Sequence, residues 1–595
     1  MEPASSPLFV GQRREQIFPA FSPAHIETAR HFGGPVRQFS PGEIVFALGE
    51  SGAPAFLVLS GSIEVVRRDG MGHGAAITTH GPGQFSGEIG QLAGSPTLTE
   101  GRAGPQGCFA LPFSVSQLRA LLIGSAEIGE ILMRAYILRR VALFESNAGI
   151  VLLGPADTPQ SLQLQNFLRR NTVPHAVIDP KVDVEATQFI ERLGIAQDEL
   201  PLAVSPDGAL LRNPTETTLA YRVGLLPNLE PHQTFDVAIV GAGPAGLAAA
   251  VYAASEGLSV LVLDARSFGG QAGASARIEN YLGFPTGISG QALMGRAFAQ
   301  AEKFGAVFAI PVEIAQLNCG KEPAPNWGIL AEPAVAESRK PTKKLHLDGD
   351  RCVQATTVIV ASGARYRRPG LSNLSQFEGR GIYYWASPIE ARLCLGREVV
   401  LVGGGNSAGQ AAAFLATHAA KVHMLVRSAN LAASMSRYLI DRLNALPNLE
   451  LHMETELTEL SGDAVGDLQA VRWRHRRTGH EEEHAVRNVF LFIGADPNSG
   501  WVRQCGVALD EKGFIRTGAD LTPAALGVAS WTECRRLPAP LETSRPGVFA
   551  IGDARAGSVK RVSAAVGEGA AVVAQVHAYL ARDEREPLYS AARPH

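Results

Sequence analysis

Two glycine-rich stretches carry the chemistry that can be read first. In one, the apolar run Asp236-Val237-Ala238-Ile239-Val240 enters Gly241-Ala242-Gly243-Pro244-Ala245-Gly246 and then an alanine-rich segment. Gly241 permits a tight turn, Gly243 lets the backbone approach a pyrophosphate, and Gly246 lets helix and strand pack closely. The helix that follows offers free N–H groups and a partial positive charge to phosphates. A second apolar run, Ser259 to Leu263, ends in Asp264, a carboxylate suited to an adenosine ribose. In the other stretch, Glu398 to Val402 enters Gly403-Gly404-Gly405-Asn406-Ser407-Ala408, with Ala408 in the place of the third glycine. Its next strand, Lys421 to Val426, ends in Arg427. A cation there favours a 2′-phosphate, so NADPH is expected and NADH is the alternative, with Arg437 as a second cation. Two such loops imply two nucleotides, one bound flavin and one exchangeable nicotinamide.

These loops need parallel sheets to hold them, and 595 residues allow several domains. The expected fold is α/β with two Rossmann-like dinucleotide-binding domains. A β-barrel domain and a thioredoxin-like α/β domain precede them. We divide the chain into a tail at 1–20, the β-barrel domain at 21–145, and a small α/β domain at 146–228. The FAD-binding domain takes 229–378 and 499–582 and encloses the NAD(P)-binding domain at 379–498. A tail at 583–595 follows. In the β-barrel region, Ala55 to Val65 reads as two strand pieces around a Ser60-Gly61 turn, and Leu118 to Leu143 as helix. Glu322 to Lys344 reads as an exposed insertion.

A net charge of −3 gives no reason to expect nucleic acid. The most membrane-like stretch, Phe235 to Ala254, is broken by the glycine loop, and Met1 to Ala20 lacks the pattern of a secretory signal. A cytoplasmic protein with no membrane contact is expected. The cysteines, Cys108, Cys319, Cys352, Cys394, Cys505 and Cys534, are scattered, which excludes a local CxxC and argues against a zinc cluster. No metal is expected.

The region from about Thr234 onwards resembles the low-molecular-weight thioredoxin reductase family. The matching pieces are Gly269-Gly270-Gln271 with Ile278-Glu279-Asn280-Tyr281, then Ala361-Ser362-Gly363-Ala364, Ile493-Gly494 with Pro497-Asn498, and Gly547-Val548-Phe549-Ala550-Ile551-Gly552-Asp553 with Arg561-Val562-Ser563-Ala564. The resemblance implies an FAD enzyme that takes hydride from NAD(P)H, with a homodimer as the expected assembly. It places Gly270, Gln271 and Asn280 at the flavin ring, Gly363 where the first flavin half closes, Gly552 and Asp553 at the ribityl chain, and Arg561, Val562 and Ser563 at the pyrimidine edge. The family's redox Cys-x-x-Cys is missing: the aligned stretch reads Trp385-Ala386-Ser387-Pro388. Glu390 falls near the family's catalytic acid, with a solvated loop carboxylate as the other reading. The nearest thiol, Cys394, would need Cys505 or Cys534 to be brought to it by the fold.

The first region resembles a cyclic-nucleotide-binding domain, with Gly87-Glu88-Ile89 opening its phosphate cassette. Thr97 stands where that cassette needs an arginine, so cyclic AMP is not expected to bind. The second region is similar to a thioredoxin or glutaredoxin fold, but its Gly154 to Pro159 loop has no cysteine; Pro201 matches that fold's customary cis-proline. Electrons are therefore expected to leave the flavin directly for a ferredoxin-type protein, a quinone, oxygen or a partner's disulfide. A flavin-based sensor or regulatory scaffold is the alternative reading.

Overall fold

The computed structural model describes residues 8–581, apart from 69–73, 146–148, 231–232, 276, 320–341, 349–350, 387, 464–465, 527–530 and 532–535. Four sheet-centred modules follow one another. The first is an antiparallel five-stranded sheet built on the long strands Ala55–Arg68 and Glu100–Phe113. The expected Ser60-Gly61 turn is absent. Ala55–Arg68 runs through as one strand with register shifts at Val58/Ser60 and Gly61/Ile63. Gly61 takes φ +74°, and a Cβ there would lie 2.1 Å from the Gly107 carbonyl oxygen. The glycine marks a bulge where the paired strand passes too close for a side chain, not a reversal. Helices Val115–Gly124 and Ala126–Glu145 complete this module and bury Leu118, Leu122, Leu132 and Tyr136 against the sheet. Ser114 starts the first of them with a reciprocal capping box to Gln117.

The second module is a four-stranded sheet in the order His175–Ile178, Ile150–Leu153, Leu202–Val204, Leu210–Arg212. Thr158 caps its helix Pro159–Arg170 by accepting from the Ser161 N–H. The Leu200–Pro201 peptide is cis. Sequence pattern marks the first three strands but neither the edge strand nor the helix Glu216–Val223.

The third module is a seven-stranded mixed sheet. Strands Val307–Ala309, Val260–Leu263, Thr234–Val240, Cys352–Val360 and Val548–Ala550 are parallel, and Lys343–Leu347 and Ile314–Asn318 extend the sheet antiparallel. The central strands are apolar on both faces because helices Pro244–Ser255, Gly290–Phe304 and Val562–Ala581 cover one side and a second apolar cluster with Val502, Val507 and Ile515 covers the other. The expected insertion lies mostly outside the described residues, but Lys343 and Lys344 belong to a strand. Lys343 is buried, and its ammonium donates to the Thr356 carbonyl and the Tyr579 hydroxyl. The fourth module is a parallel sheet in the order Ile382–Tyr383, Val489–Leu491, Glu398–Val402, Lys421–Val426, Leu449–Met453. An antiparallel meander, Thr455–Gly462, Leu468–His475 and Glu481–His484, covers one of its faces. The antiparallel pair Ala364–Tyr366 and Ala495–Pro497 carries the chain between the third and fourth modules. Among the described residues no helix is long and apolar enough to cross a membrane.

Candidate functional site

The two glycine loops face one continuous cavity of about 2220 Å³ between the third and fourth modules. Drug-sized ligands occupy ~300–1,000 Å³, so this space suits two dinucleotides.

The first loop shows why each glycine is needed. Gly241 takes φ +111°, and a Cβ there would press on the Ala361 carbonyl at 2.2 Å. Gly246 sits one turn into the helix Pro244–Ser255, where a Cβ would meet the Gly241 carbonyl oxygen at 1.8 Å. Gly243 differs: its backbone is ordinary extended chain, and a Cβ would find only the Gly270 Cα at 3.9 Å. Sterics inside the protein do not require glycine at 243; the open space in front of it does. That space lies at a helix N-terminus whose first residue is a proline, so no N–H is wasted there. Asp264 has a task the sequence did not reveal. Its Oδ2 accepts from the Ala242 N–H at 2.9 Å, and its Oδ1 accepts from the Arg266 and Ser267 N–H groups at 2.9 and 3.1 Å. The carboxylate thus shapes the loop as well as facing the cavity. Burial raises its pKa above the usual range, while these three donors pull it back down.

Around the same wall lie Ala245, Gly270, Gln271, Asn280, Gly363, Gly552, Asp553, Arg561, Val562 and Ser563. The Gln271 amide donates to the Ala364 carbonyl at 2.6 Å, which ties the turn after Gly270 to the strand leaving the sheet. Asp553 lies in a short turn before the long helix Val562–Ala581, and burial raises its pKa. Lys560 donates to the Asp553 carbonyl at 2.7 Å, which brings a cation beside it.

The second loop repeats the plan. Gly403 has φ +148° and no room for a Cβ against the Phe492 carbonyl at 2.4 Å. Gly405 precedes the helix Asn406–Leu415 in extended conformation. Asn406 accepts from the Ser436 N–H at 2.7 Å, and Ser434 donates to the Gly404 carbonyl at 2.8 Å, so the loop is braced from outside. Ser407, Ala408 and exposed Arg427 also line the cavity. Arg476 donates to the Arg427 carbonyl at 3.4 Å, placing a second guanidinium nearby. Arg437 instead pairs with Asp441 at 2.9 Å.

Of the nucleotide-binding and catalytic candidates named from the sequence, all but Gly246, Glu390 and Arg437 line this one cavity. Glu390 is buried, with 8 % exposure, and accepts from the Trp385 indole N–H at 3.0 Å. Trp385 itself lines the cavity, and the Arg170 guanidinium lies 4.7 Å from its ring centre. Sequence reasoning missed Arg170. It ends the helix Pro159–Arg170 of the second module and reaches the cavity only through the tertiary fold, so no local signal could have marked it.

Among the described residues no cysteine lines the cavity. Cys394 is fully buried, and burial together with Glu390 pushes its thiol up to about 12. The fold does bring two distant cysteines together, but the partner of Cys505 is Cys319, with sulfurs 3.0 Å apart, and not Cys394. Cys534 and Ser387 lie outside the described residues. In the first module, Glu88 makes a two-pronged ion pair with Arg140 at 2.7 and 3.0 Å. Thr97 donates to the Ala47 carbonyl at 2.5 Å and accepts from the Glu50 N–H. Arg102 is paired with Glu100 at 2.6 Å.

Parallel sheets, paired glycine loops and a shared cavity define a two-dinucleotide flavoprotein architecture. Residues 235–569 match the pyridine nucleotide-disulphide oxidoreductase family, and residues 36–123 match the cyclic nucleotide-binding domain. The chain belongs to the pyridine nucleotide-disulphide oxidoreductase family, as a thioredoxin-reductase-like, FAD- and NAD(P)H-dependent oxidoreductase fused to a cyclic-nucleotide-binding-like domain. It is 31% identical over 349 residues to a thioredoxin reductase of Mycolicibacterium smegmatis, covering 59% of this chain and 97% of that one. It is 30% identical over 357 residues to the thioredoxin reductase of Bacillus subtilis, covering 59% and 96%. NADPH-dependent thioredoxin reductase 3 of Arabidopsis thaliana is 30% identical over 388 residues; the match covers 62% of this chain and 65% of the plant protein.

Proposed function

We propose that this chain oxidises NADPH and passes the electrons from its flavin straight to an external acceptor, with no resident dithiol between. The observation that carries this reading is Trp385. It occupies the stretch where the family's redox cysteines would stand, bonds Glu390 and lies under Arg170. Thiol exchange needs an accessible thiolate, and none borders the cavity among the described residues.

FAD fits the first loop. The open cradle before Gly243 would admit a pyrophosphate, the helix Pro244–Ser255 would offer its N–H groups to it, and Asp264 would take the ribose. Gln271, Asn280, Asp553 and the helix start at Arg561–Ser563 line the same cavity and would border the rest of the molecule. NADPH fits the second loop, where Gly405 and the helix Asn406–Leu415 would take the pyrophosphate and Arg427 the 2′-phosphate. Bound FAD supplies hydride acceptance and onward release of electrons singly or in pairs. The chain's own residues bind and orient both nucleotides and keep the space between them closed on the Trp385 side.

The cyclic-nucleotide-like module serves as a packing unit in this reading. Glu88, in the cassette opening, is held by Arg140, and Thr97 offers no charge to a cyclic phosphate. The test of the main proposal is steady-state NADPH oxidation against a panel containing a ferredoxin, a quinone, oxygen and thioredoxin. Sustained turnover with a non-disulfide acceptor is expected. Turnover with thioredoxin alone would overturn the reading. A single reduction of the flavin followed by arrest with every acceptor would also overturn it, in favour of a sensor.

A further inference from the structure

A second site lies on the fourth module, away from the cavity. His423 sits on the strand Lys421–Val426, and Glu450 and His452 on the neighbouring strand Leu449–Met453. Glu450 and His452 are two residues apart, so they share one face of the sheet, and the parallel register sets His423 opposite Glu450. On this face Val400, Val402 and Leu425 pack against the meander as ordinary core. His423 interrupts that apolar surface with a side chain only 3 % exposed. A buried imidazole there calls for partners, and it has them on both sides of the ring.

One nitrogen, Nδ1, faces His452 Nε2 at 3.1 Å and Glu450 Oε2 at 3.8 Å, and His452 Nε2 lies 3.7 Å from Glu450 Oε1. The candidate donor atoms all fall within 4.8 Å of one another. Donors bound tetrahedrally at ~2.0–2.1 Å from a zinc ion are separated by ~3.3 Å; the two nitrogens already stand near that spacing, and each has one of the two Glu450 oxygens at 3.7 or 3.8 Å. The other nitrogen, His423 Nε2, meets Glu398 Oε2 at 3.2 Å. A carboxylate on the far nitrogen of a ligating imidazole is the usual outer support of a metal-bound histidine, fixing its tautomer and raising its basicity. Lys421 pairs with Glu450 Oε2 at 2.6 Å, leaving Oε1 for coordination. Trp473, stacked on His484 with ring centres 3.8 Å apart, closes one side.

The geometry points to a binding site for a divalent transition-metal ion of the zinc type, with His423 Nδ1, His452 Nε2 and Glu450 as ligands and Glu398 as their outer support. Two nitrogens and one carboxylate oxygen suit zinc, and the half-exposed Glu450 side leaves a fourth position for water. The ion would bridge two adjacent parallel strands, and Glu398, on the next strand across, would be tied to them through His423. None of these residues borders the dinucleotide cavity. The site therefore acts on the stability of the nicotinamide module and not on electron transfer.

The test uses full-length, FAD-loaded protein that has been stripped with a chelator and repurified. It is titrated with Co²⁺ and then Zn²⁺, and bound metal is counted by elemental analysis. One equivalent of Co²⁺ with a ligand-field band beyond the flavin absorption, no sulfur charge-transfer band, and displacement by Zn²⁺ are expected. Zn²⁺ should raise the melting temperature without changing the rate of flavin reduction by NADPH. His452→Gln and Glu450→Gln should each weaken binding by ~10-fold or more, and a Cys319→Ser/Cys505→Ser double variant should bind as before. Glu450 lies at the surface, so its variant tests the site even where a histidine variant fails to fold. Unchanged affinity in Glu450→Gln and His452→Gln, no stoichiometric binding, or loss only in the cysteine variant would overturn the assignment.

Discussion

Gly243 and Gly246 stand three residues apart in one motif, and the structure predicts opposite failures for them. At Gly246 a methyl group would sit 1.8 Å from the Gly241 carbonyl oxygen. That neighbour is backbone and cannot swing aside, so Gly246→Ala should lower solubility and the melting temperature. At Gly243 the backbone is extended and a Cβ meets nothing closer than 3.9 Å. Gly243→Val should fold with native secondary structure. Its side chain would instead fill the approach to the helix N-terminus, separating the pyrophosphate from the N–H groups of Ala245 and Gly246. Two charge-assisted hydrogen bonds at ~1.5–3 kcal/mol each amount to ~3–6 kcal/mol, or ~10²–10⁴-fold in FAD affinity. The assay is the flavin-to-protein absorbance ratio after purification, paired with far-UV circular dichroism and a thermal melt. A colourless, folded Gly243→Val is expected. Full flavin occupancy in that variant would refute the cradle, and misfolding would show that the open space at 243 has been misjudged.

Arg427→Ala should weaken NADPH by about tenfold to a hundredfold, the worth of one charge-assisted contact, and leave NADH nearly unchanged; stopped-flow bleaching of the flavin reads both, and an equal loss for both nucleotides would remove the 2′-phosphate role. Reduction of thioredoxin, followed by a thiol-reactive dye, should be negligible in wild type and in Cys319→Ser; strong turnover that vanishes in Cys319→Ser would restore a disulfide reductase built on the Cys319–Cys505 pair. Calorimetry with cyclic AMP should show no binding, and micromolar binding would mean that some group other than Thr97 carries the phosphate. Glu302, buried beside Arg140, Glu88 and Arg119, has its carboxyl raised from 4.5 to about 8, chiefly by burial. A raised carboxyl keeps its proton in the native state after the unfolded chain has released it, so its contribution to stability is full below about 4.5 and is lost as pH rises towards about 8. Chemical denaturation across that window should show stability falling less steeply in Glu302→Gln, and an identical slope would refute the shift.

The nucleotide loops were legible because their chemistry is local. Turn, close approach and helix start follow one another within six residues, and each strand before them is a continuous apolar run. What local reading missed was set by contacts distant in sequence. Gly61 looks like a turn until the Gly107 backbone is seen lying across it. Lys343 looks solvated until Tyr579 and the Thr356 carbonyl enclose it. Asp264 was marked for a ribose, but its bonds to the loop's own N–H groups depend on a turn that sequence cannot draw. Arg170 sits at the end of an ordinary amphipathic helix. The His423, Glu450 and His452 group escaped because metal reading followed the cysteines, and its members belong to different strands.

Arg170 changes what the missing dithiol means. A stretch that had only lost its cysteines would leave a gap or a loose loop beside the flavin cavity. Here an indole fills it, holds a nearly buried carboxylate from one side and accepts a guanidinium from another module on the other. A cation over a partly desolvated indole is worth ~0.5–2 kcal/mol, and Arg170 is itself buried enough for its pKa to fall, with Arg266 adding to the effect. The second module therefore contributes no thiol to this site but does contribute a wall. With that wall in place, a bulky disulfide partner has no thiol to engage on the Trp385 side. On the proposed function, an acceptor enters the cavity as a small molecule or takes electrons at its rim. Both routes favour one-electron carriers and planar oxidants over protein disulfides, which is why the acceptor panel, more than any single substitution, decides the chemistry of this chain.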